Sequence, residues 1–253
     1  MGEDKLAVLI DADNVPHAKI NEMLNEMATL GTLTIKRIYA DWTKPHVNGW
    51  KQVLLENAIT PIQQYSYTTG KNSSDSALII DAMDILYSGK VSGFCIVSSD
   101  SDFTRLATRL RESGLKVYGF GEKKTPKPFI TACDKFTYIE ILKPDKAAKP
   151  DSENKTKPKP KIASEAMSKV DPEMLELIAE SVSEIADESG WAYLGNLGSF
   201  LSKRKPDFDP RNYGFPKLLP LIKSSNKFEV DERESNLNSH AKSIYIRLKS
   251  TNG

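Results

Sequence analysis

The sequence predicts an α/β protein in which a doubly wound, mostly parallel sheet is followed by a small winged-helix-like domain. Three observations lead there. Over residues 1–142, short apolar runs with a period near two take turns with amphipathic stretches whose period is near 3.6. Between Lys143 and Lys169 this patterning stops, and beyond it helical leucine repeats give way to two short strand-like runs. Strands separated by helix-length crossovers run parallel, and a parallel sheet needs helices on both of its faces.

Taken in order, LAVLIDA opens as a strand and PHAKINEMLNEMATLG follows as a helix entered at Pro16. TLTIKRIYAD, VNGWKQVLLENA and ITPIQQYS continue as strand, helix and strand. SDSALIIDAMDILYSG is the next helix, with Leu78, Ile79 and Ala82 on its core face. GFCIVSSD, SDFTRLATRLRESG, LKVYGFG, PFITACDKF and TYIEIL carry the alternation to a last strand. Residues 143–169 hold eight Lys against four acids, a net of +4. Proline keeps such a segment extended and lysine keeps it solvated, so it reads as a basic tether able to touch a polyanion. The remaining part, 170–253, begins with the helical DPEMLELIAESVSEIADESG. Leu194, Leu197 and Leu201 then recur at helical spacing, as do Leu218, Leu219 and Ile222, and FEVDE and SIYIRLK follow as a two-stranded wing.

Composition narrows the functional classes. Hydrophobic residues at 39% and charged residues at 27% of 253 exclude a wholly disordered, collagen-like or coiled-coil chain. No apolar stretch approaches the roughly 18 residues that span a bilayer, and two acids precede the first apolar run, unlike a signal peptide. The expectation is a cytoplasmic protein with no membrane contact. Cys95 and Cys133 read as buried free thiols of a reducing compartment. His17, His46 and His240 are too scattered for a histidine-rich metal centre.

The acids carry the chemistry. Asp11 ends the first apolar run, with Asp13 and Asn14 in the loop beyond, and Asp100 and Asp102 follow GFCIVSS in the same way. In a doubly wound sheet, ligands bind beyond the carboxyl ends of the strands, and adjacent strands lie about 4.8 Å apart. Two Asp-x-Asp pairs there could converge on one cation. Asp75 stands at a helix start and could join them, whereas Asp81, about 240° further around the helix, could only support the ligands from behind. A lone Asp at such a position is ordinarily a helix cap. Several held together repel one another unless a divalent cation neutralises them, and an all-oxygen set suits Mg²⁺ or Mn²⁺. Ser98 and Ser99 can donate hydrogen bonds to the acids, and Lys71 could neutralise a phosphate oxygen. Asp84 reads as solvated and Asp134 as a cap.

IDADN, GKNSSDSALIIDAMDIL, CIVSSDSDFTRLATRLRESGLKVYGFG and ACDKFTYIE, in that order over about residues 5–142, resemble the NYN domain, the bacterial LabA-like relative of PIN-type nucleases. GWAYLGNLGSFLSKRKPDFDPRNYGFPKLLPLIKSSNKFEV resembles the LOTUS domain, also called OST-HTH, over about 171–249. The resemblance implies a PIN-like fold whose acids hold Mg²⁺ or Mn²⁺ and cut RNA. It puts the catalytic and metal-holding positions at Asp11, Asp75, Asp100 and Asp102, with Asp13 and Asn14 completing the first motif. The implied LOTUS role is RNA binding, with protein binding as a variation. The expected domains are 1–142 (NYN nuclease), 143–169 (basic linker) and 170–253 (LOTUS).

Two other functions fit parts of the pattern. A haloacid-dehalogenase-like phosphatase would use Asp11 as nucleophile and Asp13 as acid, but its later acids stand about four apart and Asp100 and Asp102 stand two apart. A non-catalytic adaptor would keep a structural ion in the acid cluster and recruit RNA or protein through LOTUS. For RNA contact, the run Lys203, Arg204 and Lys205 with Arg211 and Lys217 is the basic surface of the last domain. Trp42, Trp50, Trp191, Tyr193 and Tyr213 could stack on bases, though most are expected in the core, with at least one of Trp191 and Tyr193 against Leu194 and Leu197.

Overall fold

The computed structural model describes residues 4–65, 73–143, 171–234 and 242–249. The chain divides into two compact units, Met1–Asp145 and Lys146–Gly253. No helix among the described residues is long and apolar enough to cross a membrane.

The first unit alternates β1 (Lys5–Asp11), α1 (Ile20–Ala28), β2 (Thr32–Ala40), α2 (Trp50–Glu56), β3 (Thr60–Gln63), α3 (Ser73–Ser88), β4 (Gly93–Val97), α4 (Thr104–Glu112), β5 (Lys116–Gly121), α5 (Lys127–Ala132) and β6 (Lys135–Tyr138). The sheet order is β3-β2-β1-β4-β5-β6, and every neighbouring pair is parallel. The chain therefore builds outward from β1 on one side and then returns to build outward from β4 on the other. β1 and β4 are adjacent at the centre, buried on both faces, which is why each is an unbroken apolar run.

Alternation sorts β1 between two cores. Leu6, Val8 and Ile10 pack with Met23 and Met27 of α1 and Trp50 and Leu54 of α2. Ala7 and Leu9 pack with Leu78 and Ala82 of α3, Leu106 and Leu110 of α4, and Phe129 of α5. Cys95 and Cys133 are buried free thiols, and burial pushes each up to about 12. The run TYIEIL is not all strand. β6 pairs with β5 only from Lys135 to Tyr138, where β5 runs out at Gly121, and Ile139–Ile141 coils into a 3₁₀ turn that drops Ile139 and Leu142 into the first core.

The second unit comprises α6 (Pro172–Ile185), β7 (Ala192–Tyr193), α7 (Leu194–Arg204), α8 (Leu218–Ser224), β8 (Phe228–Glu234) and β9 (Lys242–Leu248). Asp171 caps α6 by accepting from the Glu173 amide at 3.2 Å, with Pro172 at the first helical position. Met174, Ile178, Val182, Leu197, Leu201, Leu221, Ile222, Phe228 and Ile246 form one core. The wing has three strands rather than two, because the short β7 pairs antiparallel with β9 to give the order β7-β9-β8.

Candidate metal centre

Asp11 ends β1 with only 1% of its surface exposed. Its Oδ2 accepts from Asn14 Nδ2 at 2.7 Å and Ser98 Oγ at 2.8 Å, and its Oδ1 accepts from the Asp13 amide at 3.2 Å. Burial raises its pKa, the donors from Asn14 and Ser98 oppose the rise, and the charge of Asp13 adds to it. Ser98, just past β4, thus ties the two central strand ends together. Its Oγ also accepts from the Asp100 amide at 3.1 Å, while Asp100 Oδ1 accepts from the Asp102 amide at 2.9 Å and opens the turn into α4. Ser99 faces elsewhere, its Oγ accepting from the Glu122 amide at 2.9 Å beyond β5.

Asp75 arrives on the first turn of α3, the crossover that links the two halves of the sheet. Carboxylate oxygens of Asp75, Asp100 and Asp102 all lie within 4.8 Å of one another, with Asp75 buried, Asp100 half-buried and Asp102 exposed. Burial, and after it the charges of Asp11, Asp100, Asp102 and Asp13, pushes the Asp75 carboxyl up to about 7. Asp11 is outside the trio but is the strongest of those charges. The donors are all oxygen, three carboxylates lie within reach of a common point, and their charges repel one another: this set fits a hard divalent cation such as Mg²⁺ or Mn²⁺.

Asp13 sits at the rim. Its Oδ1 is 2.8 Å from Nε2 of the exposed His46, and its Oδ2 accepts from Ser74 Oγ at 3.3 Å. In the sequence His46 is only one of three scattered histidines. It lies in a 3₁₀ turn, Pro45–Gly49, after β2, and a parallel sheet delivers every such loop to the edge where Asp11 and Asp100 stand. That shared edge was the available signal.

Other candidates are placed differently. Asp81 is paired with Arg37 and accepts from the Tyr39 hydroxyl, joining α3 to β2 rather than to the three acids. Asp84 is exposed. Asp134 accepts from the Val117 amide at 2.9 Å and faces Arg111 and Lys116, so it fastens the start of β5. Lys71 lies outside the described residues. In the second unit, Arg204 is held between Glu180 at 3.2 Å and Glu184 at 3.3 Å, and Arg211 grips Asp209 with Nε and NH2. Lys203 and Lys217 are exposed and Lys205 is half-buried.

Among the aromatics, Trp50 is core, Trp42 is half-buried with Nε1 donating to the Ile62 carbonyl at 3.0 Å, and Tyr213 is half-buried near Phe208. The expectation that Trp191 or Tyr193 packs against Leu194 and Leu197 is corrected. β7 alternates, so Ala192 is the inward residue, Tyr193 is exposed and Trp191 lies half-buried before it.

The family model described as the NYN domain matches residues 5–140, and that described as the OST-HTH/LOTUS domain matches residues 165–239. Among solved structures, the chain is similar to a protein of unknown function from Vibrio parahaemolyticus, at 21% identity over 53% of this chain and 91% of that one, with a TM-score of 0.46. An uncharacterized protein from Nitrosomonas europaea is 32% identical over 39% of this chain and 92% of its own, with a TM-score of 0.31. A protein from Chromobacterium violaceum is 32% identical over 30% and 78%, with a TM-score of 0.25. No curated protein matches the chain significantly.

Proposed function

Because the chain belongs to the NYN domain family, with an OST-HTH/LOTUS domain following, we propose that it is a metal-dependent ribonuclease hydrolysing RNA phosphodiesters at Asp75, Asp100 and Asp102, with Asp11 behind them. The observation that carries this reading is the trio of carboxylates within 4.8 Å at the one place where the strand order reverses. Bound there, Mg²⁺ or Mn²⁺ would supply Lewis-acid activation of the phosphodiester and of the attacking water. The chain's own residues do the rest. Asn14 and Ser98 hold Asp11 in one orientation beside the trio. At the rim, Asp13 engages Nε2 of His46, which leaves Nδ1 as the ring nitrogen that can exchange a proton with a reacting oxygen. Asp11, buried and accepting from three donors, is poorly disposed to attack a phosphate, which weighs against the phosphatase reading.

In this reading 1–142 cuts RNA, 143–169 is a basic tether, and 170–253 holds the RNA, with Lys203, Lys205 and Lys217 as its unpaired-base-independent phosphate contacts. Lys71 would meet a phosphate entering the site. The buried thiols suit the reducing cytoplasm.

The full chain with labelled single-stranded and hairpin RNA, in Mn²⁺, Mg²⁺ or EDTA, tests the reading. Cleavage should occur with either ion, stop in EDTA, and fall at least about 100-fold in Asp75→Asn or Asp100→Asn. Wild-type rates from Asp100→Asn in Mn²⁺ would sink it. Wild-type protein that binds RNA without cutting it in any metal would leave the adaptor role instead.

A further inference from the structure

Among the described residues, the wing sheet has one face on the core and one face open. Ile246, Phe228 and Val230 point inward. By alternation, Tyr193, Tyr245, Arg247, Glu229, Asp231 and Arg233 point outward, with Tyr193 beside Tyr245, Tyr245 beside Asp231, and Arg247 beside Glu229.

These groups form one cluster of rings and guanidinium groups, in which the Tyr193 and Tyr245 rings are tilted by 52° to each other. The Tyr193 and Tyr245 rings are 5.7 Å apart between centroids. The Arg233 guanidinium lies 4.2 Å from the Tyr245 ring centre and 5.3 Å from that of Trp191, and the Arg247 guanidinium lies 4.6 Å from Trp191. Carboxylates fix both guanidinium planes: Asp231 Oδ2 accepts from Arg233 Nε at 2.8 Å, and Glu229 Oε2 accepts from Arg247 NH2 at 2.5 Å.

Two glycines shape the cluster. A Cβ on Gly195 would lie 2.6 Å from Cε1 of Tyr193, so a larger residue there would push that ring aside. Gly190, at φ +79°, turns the chain beneath the Arg247 stem. Yet the assembly stays open, with Tyr193 43% exposed and the Arg233 and Arg247 side chains 40% and 42% exposed.

The chemistry of this face selects its occupant. Two arginines and two carboxylates cancel, so the face does not attract a polyanion by net charge. An apolar protein surface would strip water from four ionised groups without replacing it. A flat, polarisable ring with donors and acceptors at its edge meets both needs: its plane stacks on tyrosine or guanidinium, and its edge reaches the charged groups.

We propose that the outer face of β7, β9 and β8 is a stacking platform for unpaired RNA bases, and that it, more than the run Lys203 to Lys205, is where the second unit grips a single strand. This rests on the reading that the second unit holds RNA and adds where and through what chemistry. Arg204 and Arg211 already serve internal ion pairs, which removes two of the five cations of the basic surface.

The test measures binding of full-length protein to a labelled 12-nucleotide single-stranded RNA in EDTA by fluorescence anisotropy, over a salt series. Tyr193→Ala and Tyr245→Ala should each weaken binding about 5- to 150-fold with an unchanged melting temperature. Tyr193→Phe should bind like wild type, since the ring is kept. The salt slope should stay the same in the tyrosine variants and flatten in Lys203→Gln/Lys205→Gln, and a perfect duplex should compete poorly because its bases are already stacked. If wild-type protein binds RNA and the tyrosine variants bind equally well, or if duplex binds as tightly as single strand, the platform is wrong while the RNA-holding role stands. If wild-type protein shows no RNA affinity even at low salt, both fall.

Discussion

Asp75 is the residue on which the site turns, because burial and its acidic neighbours all push it the same way. Burial and four neighbouring acids hold its carboxyl near 7, well above its ordinary 3.8. Between those values the folded chain keeps a proton that the unfolded chain releases. Metal-free stability is therefore greatest below about pH 4 as far as this group is concerned, and is lost as pH rises through about 7, at up to about 1.4 kcal/mol per pH unit for one fully linked proton. Asp11, also raised, adds in the same direction. Melting temperatures in EDTA between pH 4.5 and 7.5 should decline less steeply for Asp75→Asn than for wild type, and saturating Mn²⁺ should raise the wild-type value at pH 7.5 but not that of Asp75→Asn. An Asp75→Asn profile parallel to wild type would place the titration elsewhere. The acids were legible in the sequence because each follows an apolar run or opens a helix. The pairing of Arg37 with Asp81, 44 residues away, and of His46 with Asp13, 33 residues away, was not, because no local pattern encodes a partner at that separation.

Among the elements, the ends of β1, β4 and β5 set the geometry of the centre. β5 ends at Gly121, where a Cβ would stand 2.5 Å from the Ser98 carbonyl oxygen and 2.7 Å from Thr125 Oγ. Ser98 is one of the two side chains that orient Asp11, so crowding here is transmitted to the acids. Gly121→Ala should cost about 1–3 kcal/mol of stability through overpacking and also weaken Mn²⁺ binding, as read by thermal melts with and without the ion. Full stability in Gly121→Ala would mean that the β4 loop can give way. Periodicity was enough to order the alternating elements of the first unit. It misjudged the last one because alternation in TYIEIL continues past the point where β5 stops offering backbone partners. It missed β7 because two residues carry no readable period.

At the scale of the whole molecule, the two units have separate cores, and the proposed function divides its labour between them. If 143–169 acts as the proposed tether, RNA held by the second unit would be presented to the first at an effective concentration of about millimolar. Deleting 143–253 should weaken RNA binding and slow cutting at low substrate, while metal dependence and saturated turnover change little. A truncated chain that cuts dilute RNA as fast as the full one would show that the second unit serves something else. The sequence by itself determined the α/β class, the two-part organisation and the positions of the acids, because hydrophobic period and strand-end Asp-x-Asp pairs are properties of contiguous residues. Only the tertiary structure decided which groups meet. The return of the chain to build from β4 carries the start of α3 to the switch point beside Asp100 and Asp102, and folding commits Arg204 and Arg211 to internal carboxylates while leaving the aromatic face of the wing open. Each outcome depends on groups far apart in sequence competing for one place in space, and that competition is settled by packing rather than by local pattern.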